Sequence, residues 1–377
     1  MCNAIIASVV RRISLSPHRL GMNEESGIMG LTRFTPLQVA ALLVFSTGPS
    51  MAQPQDFWVT YRGHEGPGKN LHIVLISGDE EYRSEEALPQ LGKILATWHG
   101  FTCTVLFAID EDTGIINPEN RRNIPGLDRL TTADLVIIAT RFRDLPDAQM
   151  AYIDAYLQAG KPIIGIRTAT HAFALESSPT YQHYNWNSAD PKFQQGFGRQ
   201  ILGETWIAHH GHHGRESTRG VVAAGQLDHP IVRGIRDGAI WGPTDVYRVR
   251  LPLPGDAQPI VLGQVLAGMS MDDEPVTGEK NAPMMPIGWT RTYQIGDGQR
   301  GRVFTTTIGA ATDLVAEGTR RMIVNATYWA LSLEDQIPQG GTDVRIVGTY
   351  EPSAYGFGKH RPGVRPADHA IEATDAP

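Results

Sequence analysis

A chain of 377 residues with 41% apolar and 19% charged residues has the length and apolar content for a large core, burying roughly 75% of the surface its unfolded form exposes. A formal charge of -7, with Lys and Arg scattered along the chain, gives none of the basic stripe that phosphate neutralisation requires and points away from nucleic acid as a partner. Two cysteines, Cys2 and Cys103, exclude a disulfide framework and a thiolate metal centre.

The first predicted segment is an N-terminal extension and signal peptide over residues 1–52. From Met29 to Gln53 the chain carries a basic Arg33, a short apolar run Val39 to Phe45, a Gly48-Pro49 break and the small-x-small site Ser50-Met51-Ala52. This is the layout of a secretory signal, and the run is far short of the roughly 20 residues that span a bilayer. A buried N-terminal helix is the alternative. Cleavage after Ala52 predicts a periplasmic or extracellular protein without stable membrane insertion. Residues 1–28 then read as an over-extended start, with Met22 or Met29 as initiator.

Four short runs rich in Val and Ile follow: Leu71 to Ile76, Cys103 to Phe107, Leu135 to Ala139 and Pro162 to Ile166. Continuous apolar runs of this length fit strands covered on both faces, the pattern of a parallel sheet. Cys103, inside such a run, reads as a packed core thiol. Between the first two runs Ser84 is expected to cap a helical segment with Leu88, Leu91, Leu95 and Trp98 on one face, in which Pro89 marks either a kink or the first turn. Between the last two, Met150, Ile153 and Leu157 share a face, Gly160 caps and Pro162 stops. Three more strands are predicted at Ile260 to Leu266, Met285 to Tyr293 and Arg302 to Ile308, the last two joined through Gly296-Asp297-Gly298, and a helix at Glu317 to Leu331. Together these make one α/β domain over residues 70–335. An extended arm over residues 336–377 completes the chain, its last dozen residues expected to be disordered.

In an open parallel sheet ligands gather beyond the carboxyl ends of the strands. Strand one ends in Ser77-Gly78-Asp79-Glu80-Glu81-Tyr82-Arg83 and strand four in Arg167-Thr168-Ala169-Thr170-His171, so these polar sets are expected to face each other. Arg167 directly after a buried strand needs a counter-charge, for which Asp79, Glu80 and Glu81 are the candidates. His171 and Arg167 therefore read either as functional groups or as part of an internal salt bridge. The densest imidazole cluster, His209-His210-Gly211-His212-His213, either hydrogen-bonds in a Gly-rich loop over a polar cleft or holds a divalent metal through the pairs 209/212 and 210/213. Three familiar signals fail. Gly63 to Asn70 has Asn where a phosphate loop needs Ser or Thr, Gly196-Phe197-Gly198 lacks the third glycine of a dinucleotide fingerprint, and there is no G-x-S-x-G elbow.

The ordered set GDEEYR, GIRTATHAF, GFGRQILGETWIAHHGHHG, PIGWTRTY, GRVFTTTIGA and ATYWAL resembles the ThuA-like, or trehalose-utilisation, family over about residues 70–332. That resemblance implies a flavodoxin-like three-layer sandwich with a mostly parallel sheet, like the class I glutamine amidotransferases. It aligns Arg167 with their nucleophilic cysteine, which removes glutamine hydrolysis. It departs from the family at Ala310, where a histidine often follows the glycine. It further implies a small-molecule carbohydrate, a sugar or keto-sugar, as ligand. The expected site then comprises His171, His210 and His212 as proton-transfer groups, with Asp79, Glu80, Tyr82, Arg83, Arg167, Thr170 and His209 binding substrate. The alternative is a non-catalytic carbohydrate-binding or cell-envelope module that keeps the cleft and has lost the chemistry.

Overall fold

Strands that are apolar at every position require cover on both faces, and this chain supplies it from helices on either side of one sheet. The computed structural model describes residues 57–372; the expected signal segment lies outside them. In chain order the elements are β1 (Trp58–Arg62), β2 (His72–Gly78), α1 (Ser84–His99), β3 (Thr102–Leu106), a small hairpin of β4 (Ile109–Asp110) and β5 (Ile115–Ile116), β6 (Leu135–Thr140), α2 (Asp147–Gln158) and β7 (Ile163–Ile166). There follow β8 (Thr218–Val222), β9 (Trp241–Gly242), β10 (Gln258–Val265), β11 (Met285–Tyr293), β12 (Gly301–Thr306) and α3 (Glu317–Ala330).

Strands β3, β2, β6, β7 and β12 lie side by side in parallel. At one edge β1 adds antiparallel to β3; past β12 the sheet continues antiparallel through β11, β10, β8 and β9. The sheet is therefore mixed, and the expectation of a mostly parallel sheet holds for its central block. β1, β8 and β9 escape a search for continuous apolar runs. β1 alternates buried and partly exposed residues as an edge strand, β8 carries Arg219 and Gly220, and β9 is two residues long.

Side chains along β2 divide between two cores, as a period of two demands. Ile73 and Leu75 join Leu91 and Leu95 of α1 and Met322 and Ile323 of α3, whereas Val74 and Ile76 join Met150, Ile153 and Leu157 of α2. Cys103 is buried and free in the first core. Gly160 ends α2 in the left-handed region (φ 63°), where a Cβ would meet the Gln299 carbonyl oxygen at 2.3 Å. Pro89 sits inside α1 and does not mark its start. Among the described residues no helix is long and apolar enough to cross a membrane.

Beyond α3 the chain crosses the body as a strap. Trp98 Nε1 donates to Arg345 O at 2.9 Å, Tyr350 Oη to Ala311 O at 2.8 Å and Tyr61 Oη to His369 O at 2.8 Å. Where disorder is expected from about residue 366, Pro366–His369 form a 3₁₀ turn with Pro366 buried, in which Arg365 N donates to Asp368 Oδ2 at 2.8 Å and Asp368 N to Arg365 O at 3.0 Å.

Arg83 precedes α1 in the left-handed region (φ 61°), so Ser84, expected to cap the helix, is its first residue. Its hydroxyl instead accepts from Asp79 N at 3.0 Å and bonds Ser77 Oγ at 2.8 Å. The next residue, Glu85, is buried with Arg83 Nη1 3.6 Å away, and neither carboxyl oxygen has a hydrogen-bond partner. Burial pushes its pKa up to about 8 against the pull of Arg83. The folded chain thus holds this carboxyl protonated, while the unfolded chain ionises it above about pH 4.3. Stability is lost as pH rises from there toward 8. Glu85→Gln is expected to melt higher than wild type at pH 8, with the gap closing toward pH 4, in thermal melts at both pH values.

Candidate functional site

The turns after β2, β6 and β7 each place a non-glycine residue in the left-handed region: Arg83 (φ 61°), Phe142 (φ 47°) and Arg167 (φ 49°). Strained backbone of this kind costs roughly 1–3 kcal/mol per residue and persists where surrounding structure over-determines it. At Arg167 the determinant is its own buried guanidinium. Its guanidinium is 1% exposed and lies 4.3 Å from the Tyr82 ring centroid and 4.0 Å from that of Tyr247. Nη1 donates to Asp245 O at 2.8 Å and Thr307 O at 2.6 Å, and Nη2 to Asp245 Oδ1 at 2.8 Å.

The counter-charge is thus Asp245, not the carboxylates after β2. Those three are committed elsewhere. Asp79 accepts from Glu81 N, Tyr82 N and Thr168 Oγ1 and so closes its own turn. Glu80 pairs with Arg141 and the buried Arg143. Glu81 lies 3.4 Å from Arg141 Nε and 3.6 Å from His213 Nε2. Arg83, expected to bind substrate, is fully buried and turned away, with Nη2 donating to Glu80 O and to Gly356 O.

Asp245 also organises the imidazole loop. His209 Nδ1 lies 2.7 Å from its Oδ2 and His213 Nδ1 lies 3.2 Å from its Oδ1. A bridge between His209 and Tyr247 and a hydrogen bond from His210 N to Val246 O at 2.8 Å give this stretch strand-like alternation, so the His209 ring faces Asp245 and the His210 ring the opposite side. The ring of His210 bonds Lys280 O at 2.9 Å, and His212 is exposed. The imidazoles held by Asp245 are accordingly His209 and His213, both still open to solvent, not the expected His210 and His212. Burial opposes the charge of Asp245, but Arg167 and the two histidines outweigh it and hold its pKa well below the usual carboxylate range.

Between these groups lies a pocket of about 80 Å³ lined by Glu81, Arg141, Phe142, His171, Trp206, His209 and Tyr247. His171 is 3% exposed, its Nδ1 3.2 Å from Thr170 Oγ1, and its ring lies 4.8 Å from Phe142 and 5.5 Å from Trp206. Burial, reinforced by Arg141 and Arg167, pushes its pKa well below the ordinary histidine value and keeps the ring neutral. Thr170 is buried behind it. The fold therefore brings together His171, Arg167, Tyr82 and His209 from the expected set, and adds Asp245, Tyr247, His213, Trp206, Arg141 and Phe142. Arg141 and Phe142 follow β6, so the strand-end rule applied to that strand finds them. Asp245 has no local signal. A wider groove of about 490 Å³ opens beside the first residues of β2 and β3, near Trp58, His72 and Arg129. No carboxylate and no residue in the left-handed region is among its lining, so the crest is the better candidate despite its smaller volume.

Among the described residues, His209, His213 and Asp245 form the one group of three whose ligand atoms all lie within 4.8 Å of one another, a set able to hold a metal ion.

The sequence model of a family described as ThuA, trehalose utilisation, matches residues 118–330, more than half of the chain. The chain belongs to the ThuA family. The matched part of this ThuA chain contains Arg141, Arg167, His171, His209, His213 and Asp245, whereas the turn from Asp79 to Arg83 and the C-terminal strap fall outside it. Among solved structures, a ThuA-like protein from Parabacteroides merdae is 14% identical with a TM-score of 0.42 over 70% of this chain and 91% of its own. One from Bacteroides uniformis is 15% identical with a TM-score of 0.39 over 72% and 95%. The exo-β-1,4-mannosidase Op5Man5 of Opitutaceae bacterium strain TAV5 is 10% identical with a TM-score of 0.24, over 70% of this chain and 35% of its own. None of the curated proteins matches this chain.

Removing Arg167 would leave the Asp245 carboxylate, itself 0% exposed as a side chain, without its cation. Breaking a buried pair from one side costs about 3–5 kcal/mol. Arg167→Met is expected to lose that much in urea unfolding, and adding Asp245→Asn to recover part of it. Strictly additive losses in that double-mutant cycle would show the two residues uncoupled.

Proposed function

We propose that this ThuA protein is an exported carbohydrate-active enzyme that moves a proton on a sugar or keto-sugar, with His209 as the base. The observation that carries this reading is the 2.7 Å contact between His209 Nδ1 and Asp245 Oδ2, in a carboxylate itself pinned by Arg167. An ionised carboxylate only accepts hydrogen bonds, so Nδ1 carries the proton and Nε2 is left with its lone pair. Asp245 fixes this tautomer and stabilises the imidazolium that forms. The family's link to trehalose utilisation and a pocket walled by Phe142, Trp206 and Tyr247 with polar groups between them support a sugar as ligand.

For a keto-sugar the step is removal of a proton from the carbon beside the carbonyl. The electron pair of the C–H bond moves into the carbonyl, His209 becomes imidazolium, and the guanidinium of Arg141 in the pocket wall offsets the charge on oxygen. With the hydroxyl proton of the enediol moved from one oxygen to the other, return of the carbon proton from His209 to the former carbonyl carbon completes an isomerisation. Alternatively, re-forming the carbonyl expels a substituent from the β carbon, which takes the proton from His209, and completes an elimination. Neither needs a redox cofactor. The parallel strands run in the order second, first, third, fourth, fifth of that block along the sheet, the order of flavodoxin-like folds, which supports the three-layer sandwich as the architecture of the domain.

A metal-assisted version is a second reading, favoured by the closeness of His209, His213 and Asp245. Two imidazoles and a carboxylate suit a divalent ion such as zinc, which would polarise the carbonyl. The Arg167 guanidinium 2.8 Å from the same carboxylate opposes a second cation there, which is why proton transfer by His209 is preferred.

His209→Gln is expected to cut turnover of keto-sugars by about 10² to 10⁴-fold with the melting temperature retained, because the side chain is 39% exposed. Unchanged turnover would remove His209 as base, and loss of wild-type activity to a chelator with recovery on zinc addition would replace the base by the metal reading. Sugar binding without turnover in the wild type would make the protein a binding module. The export proposal rests on the segment before Gln53; mass spectrometry of the secreted protein is expected to find its N-terminus at or near Gln53, and an intact Met1 would refute cleavage.

A further inference from the structure

The family match ends at residue 330, yet a segment 25 residues beyond it reaches the crest. The strap is pinned on either side of Tyr355. Ser353 N donates to Glu86 Oε2 at 2.7 Å, Gly356 N donates to Glu81 O at 2.7 Å, and Arg83 Nη2 donates to Gly356 O at 2.9 Å. This is what the buried Arg83 does: it fastens the strap to the turn that carries Glu81 and Tyr82. Between these anchors the Tyr355 ring lies 5.6 Å from Tyr82 and 5.1 Å from His213, and its hydroxyl donates to Pro243 O at 3.3 Å. The strap thus contributes a wall to the cluster around Asp245.

The next aromatic residue is placed differently. Phe357 is 56% exposed, and its ring centroid lies 4.9 Å from the guanidinium of Arg141, which also lies 4.7 Å from Phe142. Arg141 and Phe142 both line the pocket, so Phe357 continues its wall outward from a backbone that is fixed next to it. The pocket itself, at about 80 Å³, is well below the roughly 300–1,000 Å³ of sites that enclose a whole ligand. A sugar entering it must leave much of its bulk outside, on the side where Phe357 and Arg141 stand.

Resting on the carbohydrate reading above, we infer that Phe357 with Arg141 forms an outer subsite that stacks the second ring of a disaccharide whose first ring is held at the pocket. The C–H face of a pyranose packs on an aromatic ring, and the guanidinium edge offers donors to its hydroxyls. Phe357 is a specificity-determining residue in this arrangement: it selects disaccharides over monosaccharides and takes no part in proton transfer.

The test compares wild type and Phe357→Ala by calorimetric titration and turnover on trehalose and maltose, each paired with glucose, and on the keto derivative of each. An aromatic contact of about 0.5–1.5 kcal/mol corresponds to a loss of roughly two- to twelvefold. That loss is expected in Kd or KM for the disaccharides only, with kcat and melting temperature unchanged and recovery in Phe357→Trp. An equal loss for mono- and disaccharides would make Phe357 a prop for the pocket and overturn the subsite, as would no loss at all. If wild type binds none of these sugars, the carbohydrate reading itself fails and the subsite with it, a result distinct from a wild type that binds both classes and a variant that binds them equally well.

Discussion

A guanidinium without water must be answered by charge and hydrogen bonds, and the answer to Arg167 organises the crest. Its nitrogens take two backbone carbonyls and one carboxylate oxygen, while Tyr82 and Tyr247 lie within 4.3 Å of its carbon. Burying both ions is expensive, and such a pair is weak evidence of net stability. Its value here is directional. Asp245 has one oxygen on Arg167 and His213 and the other on His209, so fixing the carboxylate fixes two imidazoles as well. Through its carbonyl contact with Thr307, Arg167 also ties β7 to the chain just after β12.

The antiparallel half of the sheet has a corresponding role. β8, β9 and β10 extend the sheet away from β12, and the segment between β9 and β10 returns toward the crest carrying Asp245 and Tyr247. Thr244 is anchored on the way by Asp313, whose carboxylate also accepts from Gly309 N and Ala310 N. Burial pushes the pKa of Asp313 up against the pull of Arg167. On the other side of the pocket, Phe142 N donates to His171 O at 2.9 Å and Arg143 N to Ala172 O at 2.7 Å, tying the chain after β6 to the chain after β7. Glu80 balances Arg141 and Arg143 beneath this join. Charges of both signs are therefore paired around the pocket before any ligand arrives, which is the condition for preorganised electrostatics.

Residues far apart in the chain share this work. The turn after β2 and the strap hold each other through Arg83, Gly356 and Glu81, and both lie outside the part of the chain that matches the ThuA family. The family segment thus holds the polar centre, and the flanking segments build its rim.

What the sequence determined by itself was whatever depends on near neighbours. Continuous apolar runs specified four of the five parallel strands, because two-sided burial leaves few polar positions in them. Gly160 specified the end of α2, because its left-handed conformation is open to glycine at little cost. Arg167 after a buried strand specified that a counter-charge must exist, and the histidine cluster that imidazoles would gather. Tertiary structure alone decided which groups answer. Asp245 stands 78 residues from Arg167 in a stretch without any motif, and its selection over Asp79, Glu80 and Glu81 rests on where the antiparallel strands deliver it. The turn of His209 toward Asp245 follows from a bridge to Tyr247, a pairing partner that the spacing of the histidines does not encode. The place of Tyr355 and Phe357 at the rim likewise follows from anchors on α1 and the turn before it, because hydrogen bonds between distant backbones leave no periodicity in either segment.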